Sequence, residues 1–197
     1  MPSKSFNSLI DSVRACTLCA SELADGVRPV LQCHLKARIL IAGQAPGIKV
    51  HNSGVPFDDA SGDRLREWMG IDNETFYDET QIAILPMGFC YPGKGKSGDL
   101  APKPICAQTW RNRLISSLPN LKLTLVIGTY AQDWHLPFQQ KTLTDTVRDH
   151  ASYDETILPL PHPSPRNNIW LKRNDWFERD VLPELKDRVS KSLGDLQ

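Results

Sequence analysis

Residues 37–47 read ARILIAGQAPG. After Arg38 the chain is an unbroken apolar run, 39–43, ending in glycine, and the next four residues force a turn. A strand exposed to water on one face alternates polar and apolar residues. A strand covered on both faces does not, as in a parallel sheet layered between helices. Three further runs share the pattern: QIAILPM (81–87), stopped by Pro86, LTLVIG (123–128) and ETILPLP (155–161). Helical periodicity lies between them. SFNSLIDSVRACTLC (5–19) sets Phe6, Leu9, Ile10 and Val13 on one stripe. Ser61 can cap GDRLREWMG, with Leu65, Trp68 and Met69 facing inward. CAQTWRNRLISSL (106–118) repeats the pattern through Trp110, Leu114 and Leu118. Asn174 can cap DWFERDVLPELKDRVSKSL, which Pro183 should kink or split. Strands alternating with helices give an α/β layered fold, here one domain over 1–197 with no internal repeat or low-complexity linker.

The chain has 197 residues, 40% hydrophobic and 23% charged, ordinary values for a globular protein. Twenty-three basic residues balance 23 acidic ones. That argues against a protein that coats long stretches of nucleic acid by charge alone, although Lys94 with Lys96, and Arg166 with Lys172 and Arg173, can form a local basic rim. No stretch is long and apolar enough for a membrane span, and MPSKSFNSLIDSVRAC lacks a secretory signal. A cytoplasmic monomer is the expectation. The final SKSLGDLQ reads as a frayed helix end with no clamp-binding tail.

Chemistry concentrates in the loops at the strand ends, where ligand sites of open α/β sheets gather. In the loop 44–60, Gly43, Pro46 and Gly47 make a tight turn whose backbone N–H groups can meet a carbonyl oxygen or an anion. Val55-Pro56-Phe57 then sets an aromatic ring near the strand end, where it can stack on a flat ring or serve as core. The last strand runs into PHPSPRNN, where Pro161, Pro163 and Pro165 alternate. The prolines exclude both a helix interior and a central strand and stiffen a loop around His162, Ser164 and Arg166.

Five cysteines in a cytoplasmic chain point away from structural disulfides. Cys16 and Cys19 form C-x-x-C, and Cys90 and Cys106 bracket fifteen residues. Four thiolates at a tetrahedral site suit zinc or an iron–sulfur cluster. They would tie the N-terminal helix to the loop 90–105, leaving Cys33 as the spare. Some of them can equally be plain buried thiols.

GQAPG after the first strand, PF about ten residues later and HPSP after the last strand resemble the uracil-DNA glycosylase superfamily. The cysteines resemble its iron–sulfur branch. The chain as a whole, through GQAPG, FDDASGDRL and HPSPRNNIWLKRN, is similar to a bacterial uracil-DNA glycosylase-like subgroup. The resemblance spans about 16–185. It implies a three-layer α/β/α sandwich with a four-stranded, mostly parallel central sheet. It also implies a base excision repair hydrolase that flips uracil, or a related damaged base, out of single- or double-stranded DNA and cuts its N-glycosidic bond. In that resemblance Gln44, with Gly43 and Ala45 in its loop, would contact uracil and the attacking water. Phe57 would stack on the base, and His162 would donate to uracil O2 as negative charge develops there. Ser164 and Arg166 would lie on the loop that enters the minor groove. Cys16, Cys19, Cys90 and Cys106 would hold a 4Fe-4S cluster, or alternatively a structural zinc.

Two positions depart from that pattern. Ala45 stands where a water-activating side chain is expected, so Asp58, Asp59 or His51 from the same loop is the candidate replacement. Pro86 stands where an asparagine would read the base, which leaves that task to Asn167, Asn168 or a backbone amide. The departures keep two other functions open: a glycosylase fold that binds nucleic acid or a nucleobase without efficient chemistry, and an enzyme acting on free nucleosides. The glycosylase expectation requires His162 and Phe57, 105 positions apart, to meet at one cleft.

Overall fold

The computed structural model describes residues 2–194; Asp195–Gln197, the end of the expected frayed tail, lie outside the described residues. Its centre is a sheet of four strands, β1 (Ile39–Ala42), β2 (Ile82–Ile84), β5 (Leu123–Ile127) and β6 (Ile157–Leu160). A two-stranded hairpin, β3 (Lys94–Gly95) and β4 (Gly98–Asp99), stands apart from it. The sheet order is β2-β1-β5-β6 and every neighbouring pair is parallel. Each expected strand is present, inside the bounds its apolar run set. Pro159 is tolerated because β6 is an edge strand.

Alternation within the apolar runs sorts the core into two faces. Ile39, Ile41, Ile82, Ile84, Leu123, Leu125, Leu158 and Leu160 point one way. They meet helix α3 (Ala60–Met69) through Leu65, Trp68 and Met69, and helix α9 (Leu182–Leu193) through Leu185, Val189 and Leu193. Leu40, Ala83 and Leu85 point the other way. They meet α1 (Pro2–Arg14) through Phe6, Leu9, Ile10 and Val13, and α5 (Pro104–Ile115) through Trp110 and Leu114. Beside them, Ala42 and Val126 pack on Ala131 of α6 (Thr129–His135). Helices therefore cover both faces, giving the expected three layers.

Several local expectations are corrected. The first helix ends at Arg14, so the C-x-x-C lies in the turns beyond it and not on its last turn. Ser61 does not cap α3: Asp59 does, its Oδ1 accepting from the N–H groups of Ser61 (2.9 Å) and Gly62 (3.0 Å). A carboxylate at the N-cap also meets the positive helix end. The helix at 106–118 begins earlier, at Pro104, whose missing N–H costs nothing in a first turn. Asn174 caps no helix; its amide donates to the Trp170 carbonyl and its Oδ1 accepts from the Trp176 indole. Pro183 falls in the first turn of α9, and the preceding Phe177–Val181 widens into a π-helical turn. A proline cannot supply its N–H and crowds the carbonyl four residues back, and a π turn relieves both.

Short helices unmarked by the apolar pattern are α2 (Ile48–Ser53), α4 (Asn73–Tyr77), α7 (Leu143–Arg148) and α8 (Asn168–Arg173). Among the described residues no helix is long and apolar enough to cross a membrane.

Candidate active site and cysteine cluster

The loops after β1, β2 and β6 converge at the C-terminal edge of the sheet around a cavity of about 480 Å³. That volume lies within the range of small-molecule sites. The Gly43–Gly47 turn forms one wall, tied to the segment after β2 by Met87 N–H to Gly43 O (2.8 Å) and Gly88 N–H to Gln44 O (3.0 Å). Gln44 and Ala45 line this wall. The Gln44 amide donates to the Leu100 carbonyl (3.2 Å), which leaves its Oε1 as an acceptor.

Phe57 lines the same cavity and packs against the core below. Its Cζ is 3.7 Å from where a Cβ on Gly43 would stand. Among the described residues it is the only non-glycine with positive φ, at 56°. For a bulky side chain that conformation costs on the order of 1–3 kcal/mol and persists only where the surroundings enforce it. Gly62 is part of the enforcement: a Cβ there would stand 1.8 Å from the Phe57 carbonyl oxygen. The start of α3 can thus press against Phe57. The Tyr77 hydroxyl donates to that oxygen (3.4 Å), and Phe76 meets the Phe57 ring edge-on at 6.1 Å.

His162 faces Phe57's cavity from the proline loop. Its Nδ1 accepts from the Ser164 backbone N–H (3.2 Å), so the proton of the neutral ring sits on Nε2. Burial among protein atoms holds its pKa below the ordinary value. The carboxylates of Asp59 and Asp99 oppose that shift, and Arg166 adds to it. The ring is therefore a neutral N–H donor at pH 7. The loop carrying it is held from both sides. Asn167 donates to the His162 carbonyl (2.7 Å), and Arg64 of α3 donates to the carbonyls of Pro163 (3.4 Å) and Ser164 (3.1 Å). Ser164 accepts from the Arg166 N–H (3.3 Å), starting a short 3₁₀ turn at Pro165–Asn167.

Of the residues singled out in the sequence, Gly43, Gln44, Ala45, Phe57, Asp59, His162, Ser164, Arg166 and Asn167 line one cavity. Asp58 and Asn168 are exposed and stand outside its lining. Asn168 is instead engaged by Arg64, at 2.8 Å from its Oδ1. His51 is buried in α2 with its ring 6.0 Å from that of Tyr91, also outside the lining. Pro86 does line the cavity, and its carbonyl accepts from Arg111 (3.2 Å). Two residues not singled out belong to the site: Arg64, which clamps the proline loop, and Asp99 of β4, which lines the cavity. Neither carried a periodic or spacing signal.

Cys16, Cys19, Cys90 and Cys106 line a second, small cavity of about 30 Å³. Val13, Leu18, Leu23, Phe89 and Trp110 wall it. The Trp110 indole N–H reaches Cys16 Sγ and the Phe89 backbone N–H reaches Cys106 Sγ, each at 3.4 Å. Burial pushes the Cys106 thiol up to about 12, with Cys90, Cys16 and Cys19 adding to the shift. Cys90 and Cys19 are raised as well, first by burial. Such thiols ionise only with a cation among them. Among the described residues no three His, Cys, Asp or Glu side chains are grouped as one metal ion would need. One zinc draws its sulfurs to about 2.3 Å from a single point, whereas a multi-iron cluster holds its four thiolates further apart.

Arg111 adds a second observation. It is 1% exposed. Its Nη2 has no hydrogen-bond partner among the described residues, and its other nitrogens reach only carbonyls and His135. Burial lowers its pKa to about 9, opposed only by Cys106. A buried guanidinium without a carboxylate calls for nearby negative charge, and a tetrathiolate metal centre carries it. The four thiols, their N–H donors and this cation fit such a group. Cys33 lies elsewhere, buried in the core beneath α1, its thiol also pushed up to about 12 by burial.

The family model of the Uracil DNA glycosylase superfamily matches residues 31–186, most of the chain, and the chain belongs to that family. Membership carries a glycosylase-type function and DNA binding.

Proposed function

We propose that this member of the superfamily is a monofunctional DNA glycosylase, acting on uracil or a related damaged base flipped out of the helix. The observation that carries this reading is the shared cavity of Phe57 and His162, with the histidine neutral and its proton on Nε2. A flat ring laid against Phe57 would occupy the cavity that His162 also lines, where a carbonyl oxygen can meet that N–H. As the glycosidic bond breaks, negative charge grows on the base oxygen. A fixed donor in a site closed to water stabilises it most at that moment. In the neutral ring Nδ1 keeps the Ser164 N–H bond that aims the imidazole, while Nε2–H is the donor offered to the leaving oxygen.

The remaining groups orient. The Oε1 of Gln44, with no partner among the described residues, would accept from water, and Asn167, whose amide nitrogen is held by the His162 carbonyl at the cavity wall, would offer its amide oxygen to the base. The exposed run Arg166, Asn168 and Ile169, the last 65% exposed, forms a polar and apolar prow beside the cavity. It suits insertion at the site of a flipped nucleotide. The four cysteines would hold a 4Fe-4S cluster in the manner of the iron–sulfur branch, with structural zinc as the alternative. Its role would be to fasten the N-terminal segment to the loop after β2, since four thiolates leave no open coordination position.

The test is base release. Single- and double-stranded oligonucleotides bearing one uracil are incubated with the protein, then treated with alkali. Strand cleavage at the uracil position supports the reading, and intact strands from all substrates refute it. A second reading, base binding without efficient chemistry, is favoured by one observation: the methyl of Ala45 lines the cavity where an acid–base group is expected. Retention of uracil oligonucleotides without cleavage would select it.

A further inference from the structure

The hairpin β3–β4 brings a carboxylate into the cavity from a segment that reads in sequence as polar loop. Asp99 pairs across the hairpin with Lys94 and lines the cavity. Its Oδ2 stands 3.7 Å from where a Cβ on Gly47 would be, so it lies against the turn that carries Ala45. On the other side, Arg166 Nη1 stands 3.1 Å from the Cβ position of Gly98, whose φ is +149°. The hairpin is thus docked between the Gly43–Gly47 turn and the proline loop. The field of Asp99 reaches the His162 ring.

We propose that Asp99 is the general base of this site, doing from the hairpin what Ala45 cannot do from the turn. The proposal rests on the glycosylase reading. The other carboxylates serve less well. Asp59 Oδ1 is committed to two backbone N–H groups at the head of α3, and Asp58 stands outside the lining. Asp99 is free of such commitments: its one side-chain partner among the described residues is the Tyr91 hydroxyl, 3.5 Å from Oδ1. That long contact comes from a residue 4% exposed, at the foot of the hairpin. Oδ2 is left as an acceptor on the cavity side.

The step balances. The water oxygen bonds to C1′ as the C1′–N bond breaks. The bonding pair leaves with the base, whose developing oxyanion meets His162 Nε2–H. The proton lost by the water passes to the Asp99 carboxylate and from there to the departing base. The products are an abasic sugar and a neutral free base. The negative carboxylate also faces the positive charge that grows on the sugar.

The test measures single-turnover base release from a uracil oligonucleotide, with binding measured on the same sequence carrying a non-cleavable 2′-fluoro nucleotide. Asp99→Asn keeps shape and hydrogen bonding but accepts no proton. It should slow release by about 10²-fold or more, with oligonucleotide affinity and thermal midpoint unchanged. Asp99→Ala should be at least as slow, and Asp99→Glu should recover part of the rate. Wild-type release matched by Asp99→Asn overturns the role of Asp99 and leaves the glycosylase reading standing. Equal losses of release and of affinity in Asp99→Asn overturn it in favour of a binding role. No release by the wild type from any uracil oligonucleotide overturns both readings.

Discussion

Gly62→Ala probes the joint between fold and site. The Cβ would stand 1.8 Å from the Phe57 carbonyl oxygen and 2.8 Å from its carbonyl carbon and Cβ. Carbon–oxygen contacts are comfortable at about 3.3 Å, so the start of α3 and the Phe57 backbone must separate by roughly 1.5 Å. That movement disturbs the two Asp59 cap bonds, at 2.9 and 3.0 Å. A lost cap costs roughly 0.5–2 kcal/mol and overpacking of this kind roughly 1–3 kcal/mol. Together the variant should lose about 2–4 kcal/mol in a urea unfolding titration, against two references. Glu67→Ala, on the exposed side of α3, should leave stability within about 0.5 kcal/mol. Phe57→Gly, which removes the strain of the positive φ along with the ring, should lose base release. In Gly62→Ala release should fall further than the folded fraction does, because the Phe57 ring moves off its wall. A Gly62→Ala protein as stable and as active as wild type would refute the claim that α3 holds Phe57 in place.

His162→Leu should slow single-turnover release by about 10²–10³-fold, the usual cost of one lost oxyanion donor, with oligonucleotide affinity retained. Equal rates would remove His162 from the chemistry. Protein prepared anaerobically should be brown and contain iron and acid-labile sulfide; Cys106→Ser should lose both and Cys33→Ala neither, while colourless wild-type protein with stoichiometric zinc would select the alternative metal. His135 makes folding pH-dependent. Burial, and the Arg111 guanidinium 2.7 Å from its Nε2, lower its pKa from 6.5 to about 3. The folded state then binds fewer protons than the unfolded state between those values, so this contribution is present above about pH 6.5 and is lost as pH falls toward 3. Unfolding titrations should show about 2 kcal/mol less stability from this residue at pH 5 than at pH 7, a difference absent in His135→Gln.

The sequence by itself determined the layering. Four apolar runs bounded by turn residues marked strands covered on both faces, and the folded sheet turns Ile39 and Ile41 to one layer of helices and Leu40 to the other. It also marked the loops that line the candidate cavity, because Gly-Pro turns and alternating prolines directly after strands constrain the backbone through local sterics alone. Loop details were less legible. Ser61 and Asp59 are equally good caps by type, and only the folded backbone shows that Asp59 is the one used. Tertiary structure alone decided which carboxylates line the cavity and which of them is left uncommitted. Asp58, Asp59 and Asp99 are chemically alike, and neither their spacing nor their neighbours separates them. They differ in what the folded chain leaves free: Asp58 stands outside the lining, Asp59 is bound to a helix end, and Asp99 is carried to the Gly43–Gly47 turn by a hairpin with no apolar period to announce it. The same holds for Arg64 and Arg111. A guanidinium's partners are set by long-range packing, here contacts about a hundred residues away for Arg64 and a buried place beside Cys106 for Arg111, and no local pattern records either.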